Sequence, residues 1–166
     1  MTYKRVFELF QLISKVPRGS GNCQGISDFI RSFAEKNGCA AVQDEALNVF
    51  VVKKAAVEYE NAVTLVFQAH MDMVCVADSG VNHDFTKDAV EIAESDGWIY
   101  APGTTLGADD GLGVAIMLGL IEDSKPSGRL EFIFTTEEET NMAGARAFDC
   151  TQVTGRKIIN LDNEEE

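Results

Sequence analysis

A chain of 166 residues with 45% hydrophobic content is long enough to bury one sizeable core and falls within the size of a single domain. Its 14 Lys and Arg against 27 Asp and Glu leave a formal net charge of -13, which repels phosphate backbones and anionic membrane surfaces and makes nucleic acid an unsuitable partner. Cys23, Cys39, Cys75 and Cys150 are scattered with no Cys-x-x-Cys pair, Glu8 falls where a signal peptide would be apolar, and no stretch has the length of a membrane span; the expectation is a soluble, cytoplasmic protein.

Val6, Leu9, Phe10, Ile13 and Val16 follow helical spacing over residues 2–16, and the run stops at Pro17-Arg18-Gly19-Ser20-Gly21. A second helical pattern uses Ile26, Phe29, Ile30 and Phe33 and ends at Asn37-Gly38. Residues 48–53 and 62–69 are the clearest strands, the second apolar enough for a central strand covered on both faces. Residues 78–97 are polar and aperiodic, which predicts a functional surface loop before a short strand at Trp98-Ile99-Tyr100. A helix over residues 111–122 carries Val114, Met117, Leu118 and Ile121 on one stripe, and residues 124–128 end it. Residues 130–135 and 157–161 read as further apolar strands, separated by a short helix over 143–148. Strands alternating with helices predict an α/β fold, a three-layer sandwich around a mixed, largely parallel sheet.

Four acidic or histidine-bearing segments fall at element ends. His70-Met71-Asp72 follows the strand over 62–69, at the edge where open α/β sheets hold ligands, and Asp72 lies on the same side of an extended chain as His70. Alone, His-x-Asp is more often a hydrogen-bonded structural histidine. Gly107-Ala108-Asp109-Asp110-Gly111-Leu112-Gly113 opens a helix, where Asp serves equally well as an N-cap; two carboxylates there favour a cation over phosphate. Glu137, Glu138 and Glu139 follow a strand end, although three adjacent acids are usually a solvated face. Neighbouring carboxylates on an extended chain point apart, so one can bind metal while the next acts as a base. Asp162 ends the strand over 157–161 and by itself would be a turn residue. Joint occurrence at one sheet edge is what distinguishes these segments. Histidine and carboxylate ligands without cysteine suit catalytic zinc, with manganese or cobalt as substitutes. His83 and the cysteines are read as structural or loop residues.

On these residues the sequence resembles the two-metal aminoacylase, carboxypeptidase G and peptidase T superfamily. The carriers are His70-Met71-Asp72, the Gly-Thr-Thr-Leu-Gly-Ala-Asp-Asp-Gly run over 103–111, Thr135-Thr136-Glu137-Glu138-Glu139 and Asn160-Leu161-Asp162. Met73-Val74-Cys75 and the segment over 83–88 look like its aminoacyl-histidine dipeptidase branch. The resemblance implies that His70 and Asp162 hold one zinc, Asp109 bridges both, Glu139 holds the second, Glu138 is the general base and Asp72 tunes His70. It also implies a small peptide substrate, a homodimer for the full-length protein, and a lid domain and a final metal-binding histidine that this chain lacks. Thr140-Asn141 stands where relatives often have glycine, and Asn141 would tolerate the left-handed backbone of such a turn.

The expectation is therefore an N-terminal part of a zinc dipeptidase catalytic domain, inactive on its own. The competing readings are a non-catalytic metal- or ligand-binding module with an enzyme-like fold, and a weaker nucleotide-binding domain using residues 107–113.

Overall fold

The computed structural model describes residues 2–162. Thr2 starts helix α1 (Tyr3–Ile13), its hydroxyl accepting from the Arg5 amide at 3.3 Å. Helix α2 (Gln24–Lys36) closes at Asn37 and at Gly38, whose φ of 75° supplies the left-handed cap that an L side chain would strain. Strand β1 (Ala40–Gln43) was not legible as a strand because Ala-Ala-Val-Gln is short and carries no clear apolar–polar alternation. Strand β2 (Val49–Lys53) matches expectation. Strand β3 (Leu65–His70) begins later than expected because Ala62 donates back to Tyr59 (2.9 Å) in the preceding turn.

Strands β4 (Ala93–Ser95) and β5 (Trp98–Tyr100) form a hairpin closed by Asp96-Gly97, both with positive φ. The reading of residues 78–97 as loop throughout is corrected there: the Asp-Gly turn signal outweighs the polar composition. Helix α3 (Ala108–Glu122), strand β6 (Leu130–Thr135), helix α4 (Ala143–Ala147) and strand β7 (Lys157–Asn160) complete the order.

The main sheet runs β1-β2-β6-β3-β7, with β1 and β6 antiparallel to β2 and with β6 and β7 parallel to β3. The chain steps from β3 to β6 in one direction and from β6 back past β3 to β7 in the other. Right-handed crossovers therefore place α3 and α4 on opposite faces, with the reversal beside the C-terminal end of β3. On the α3 face, Val49, Val51, Phe132 and Phe134 meet Leu9, Phe10 and Ile13 of α1 and Ile26 and Ile30 of α2. Burying each such side chain contributes about 1.5–3 kcal/mol. Val114, Met117, Leu118 and Ile121 form the buried stripe read from the sequence, and Ala115 and Gly119 are buried as well because α3 is sandwiched between α1, α2 and β3. Phe50, Val66 and Ile133 form a smaller core on the α4 face with Phe148 and Val153.

Within that second layer the fully buried Glu131 accepts from Arg129 Nε (2.8 Å) and from the amides of Thr154 (2.9 Å) and Gly155 (3.0 Å), which fixes the approach to β7. The apolar strand read from the sequence is here the sheet edge, with Ile158 63% exposed. No helix among the described residues is long and apolar enough to cross a membrane.

Candidate functional site

Three parallel strands deliver the predicted residues to one edge. His70 is the last residue of β3 and pairs in register with Thr135, the last of β6, so the turn with Glu137, Glu138 and Glu139 emerges beside it. The Leu161 amide donates to the Gln68 carbonyl at 2.9 Å, which extends the β3–β7 ladder and brings Asp162 to the same edge. The His70 ring is only 1% exposed. Its Nδ1 faces the carbonyl oxygen of Asp72 at 3.1 Å and Asp72 Oδ1 at 3.5 Å. A carbonyl only accepts, so Nδ1 carries the proton and Nε2 is left as the nitrogen available for coordination. Nε2 lies 2.9 Å from Asp109 Oδ1 and 4.0 Å from Glu138 Oε2.

The two aspartates at the start of α3 divide the roles that the sequence left open. Both have non-helical backbone angles and are joined by a cis peptide bond, and the regular helix begins after them. Asp110 is buried and caps the helix, its Oδ1 accepting from the Gly113 amide at 3.1 Å and its Oδ2 from the His70 amide at 3.3 Å. A Cβ on residue 113 would collide with the Asp110 carboxylate, so the cap requires Gly113. Asp109 is left to face His70, its side chain 60% exposed.

Asp72 does more than contact the ring. Its fully buried carboxylate accepts from the Ser20 hydroxyl (2.7 Å), the Glu138 amide (3.1 Å) and the Glu139 amide (3.3 Å). It therefore pins the glutamate turn over His70. Glu137 sits at φ 58°, its carboxylate accepting from the Gly21 amide at 2.7 Å. The left-handed positions of this turn are Glu137 and Met142, which corrects the expectation for Asn141. Asn141 instead accepts from the Ala143 amide through Oδ1 (2.8 Å), a local side-chain turn that needs no positive φ.

The donor set fits a divalent cation. His70, Asp109 and Glu139 can each offer one ligand atom with all three within 4.8 Å of one another, and so can His70, Glu138 and Asp162. In these two groups Glu138 lies with Asp162 on one side of the imidazole and Glu139 with Asp109 on the other. The crowding is visible in the titration of the acids. Burial raises the pKa of Glu139, and the charges of Asp109, Glu138 and Asp72 push it the same way against the pull of His70. Burial also raises Asp110 to about 7, with Asp162 adding to the effect and His70 opposing it. A cation among these carboxylates relieves that repulsion.

Residues 66–158 match the model of peptidase family M20/M25/M40. The chain belongs to that family. The cytosol non-specific dipeptidase of Escherichia coli is 34% identical over 162 residues, covering 97% of this chain and 33% of that protein. The crystal structure of the aminoacylhistidine dipeptidase from Vibrio alginolyticus superposes with a TM-score of 0.92 at 32% identity, covering 100% of this chain and 34% of that one. A tripeptidase from Staphylococcus aureus shares the fold with a TM-score of 0.81 at 23% identity, covering 98% and 44% of the two chains. The chain thus spans about a third of the length of the two dipeptidases it matches.

Several residues that build this M20 site escape a reading of the sequence. Arg18, Ser20 and Gly21 lie in the segment read only as a helix stop, and Asn48 was read as a strand start. Buried Asn48 donates to the Gly144 carbonyl (2.9 Å) and accepts from the Thr136 amide (3.2 Å), which anchors both sides of the glutamate turn.

His70 gives the site a stability signature without metal. Burial lowers its pKa, but hydrogen bonds to Asp72 and Asp109 and the charges of Asp72 and Asp110 outweigh this and hold it at about 9. A histidine raised from its ordinary 6.5 stabilises the fold fully below that value and loses the contribution as pH rises through about 9. Unfolding of the chelator-treated chain should therefore show lower stability at pH 9.5 than at pH 6.5. His70→Gln should flatten that slope; an unchanged slope in the variant would assign it elsewhere.

Proposed function

We propose that the chain forms the metal-binding N-terminal part of the catalytic domain of a two-zinc dipeptidase acting on aminoacyl-histidine substrates. The observation that carries this is the His70 imidazole at the sheet edge, its Nε2 facing Asp109 on one side and Glu138 on the other. His70 and Asp162 would hold one ion, Asp109 would bridge to a second, and Glu139 would complete this chain's share of the second site. Manganese or cobalt satisfies the same donors. When bound, two such ions acidify a water and polarise the scissile carbonyl.

The chain's own groups do the rest. Glu138 lines a cavity of about 270 Å³ together with Gln68, Thr135, Met142, Phe148 and Asp162, so its carboxylate fronts space rather than protein. It takes the water proton and returns it to the departing amine, acting as base and then acid. Asp72 keeps the Nδ1 side of His70 occupied and holds the Glu138 and Glu139 amides, so both carboxylates leave the turn in fixed directions. Dipeptides are the substrates because the E. coli and V. alginolyticus relatives are named for them. The remaining catalytic segment, a lid and a dimerising surface belong to the rest of a cytoplasmic full-length protein.

The test joins metal titration with a chimera. Titrated with zinc at pH 8, the chain should bind one ion more tightly than a second and release protons as it does so. A chimera carrying residues 1–162 in place of the matching third of the E. coli dipeptidase should hydrolyse β-alanyl-histidine only with divalent metal, whereas the chain alone should turn over little. A folded chain that takes up no metal would end this reading, and rapid turnover by the chain alone would end the assignment as a partial domain.

A further inference from the structure

Beneath the carboxylates lies one buried cation that the proposed chemistry does not use. Arg18 is 2% exposed, and among the described residues its guanidinium forms no ion pair with a carboxylate; it donates through Nη1 to the carbonyls of Met71 (3.2 Å) and Asp72 (3.4 Å) and through Nη2 to the carbonyl of Gly107 (2.5 Å). Those carbonyls belong to the two loops that carry His70 and Asp109. The room for the guanidinium is reserved on its far side: a Cβ at either residue 107 or residue 111 would stand 2.6 Å from Nη2.

The backbone of the same segment repeats the attachment. The Met73 amide donates to the Arg18 carbonyl at 3.1 Å beside a parallel bridge between Gly19 and Met73. Ser20 then caps Asp72 and Gly21 holds Glu137, so residues 18–21 touch the His70, Asp109 and glutamate segments of the site. Burial of Arg18 pulls its pKa down to about 10 while Asp72 and Asp110 oppose the fall, so the cation survives at neutral pH.

We infer that Arg18 is a positioning residue: its planar guanidinium spans the His70 and Asp109 loops and sets the separation between His70 Nε2 and Asp109 Oδ1. This rests on the reading of His70 and Asp109 as metal ligands. A lysine ammonium is a point charge on a flexible stem and cannot hold carbonyls on two loops with a rigid fork. Removal of an outer group that orients metal ligands typically lowers metal affinity about 10–100-fold.

The experiment measures cobalt(II) affinity and its ligand-field spectrum in the chain and in Arg18→Met and Arg18→Lys, alongside amide exchange at Glu138, Glu139 and Val51. Arg18→Met should weaken cobalt binding about 10–100-fold and alter the spectrum, with faster exchange at Glu138 and Glu139 and unchanged exchange at Val51. Arg18→Lys, which keeps the charge, should still lose about tenfold. Cobalt affinity and spectrum like the parent chain in Arg18→Met overturn the inference, as does equal acceleration at Val51. If Arg18→Met does not fold, parental affinity in Arg18→Lys overturns it instead. If the parent chain binds no cobalt, the metal reading fails and exchange alone decides: acceleration confined to the glutamate turn keeps Arg18 as the spanning residue, and any other pattern removes it.

Discussion

Glu138→Gln in the chimeric dipeptidase should lower kcat by a factor of about 10²–10⁴ and leave zinc affinity within a few-fold. Glutamine keeps the size and the hydrogen-bonding reach of glutamate but has no carboxylate to accept a proton. The backbone that positions residue 138 is untouched, because its amide is held by Asp72 and not by its own side chain. Glu139→Gln, one residue along, should do the reverse: it faces Asp109, and its main loss should appear in uptake of the second zinc. Steady-state hydrolysis of β-alanyl-histidine with zinc titration of both variants separates the roles. Equal kcat losses with equal zinc losses would mean that the two glutamates are not divided between base and ligand.

That division was only partly legible in the sequence. His70, the glutamates and Asp162 stand out because each follows a short apolar run, and a run of that kind must be a buried strand whose polar successor emerges at its end. The M20 fold was legible for the same reason. Where the sequence was silent, long-range contacts decide. Asp109 and Asp110 are chemically identical neighbours, and only the burial of one against Gly113 shows which of them caps α3. Asp72 reads as a partner of His70 two residues away, yet two of its acceptor contacts come from amides 66 and 67 residues distant. Arg18 follows a proline in a loop, and nothing local says that its charge ends up buried under two glycines. Strands β1 and β4 failed for lack of alternation, since short strands at a sheet edge or in a hairpin draw stability from pairing rather than from a buried face.

Asp72→Asn should be the most damaging single change to the site's architecture, by about 2–4 kcal/mol. Three donors converge on the native carboxylate, from Ser20, Glu138 and Glu139. An asparagine offers one acceptor oxygen and turns an NH₂ group towards the remaining donors, leaving buried polar groups unpaired. Ser20→Ala removes a single hydroxyl and should cost about 1 kcal/mol, so the difference between the variants isolates the hold on the glutamate turn. The pH dependence has a fixed sign. Burial raises the Asp72 pKa, but hydrogen bonds from His70, Ser20 and Glu138 overcome it and leave the group below the ordinary carboxylate range. Its stabilisation is therefore present above the unfolded value of about 3.9 and is lost as pH falls through the lower folded value. Urea unfolding at pH 7 and pH 3 should show the gap between the parent chain and Asp72→Asn narrowing at the acid end. A gap of the same size at both pH values would mean that the carboxylate charge contributes nothing to holding the turn, and that Asp72 holds it through the number and placement of its acceptor oxygens alone.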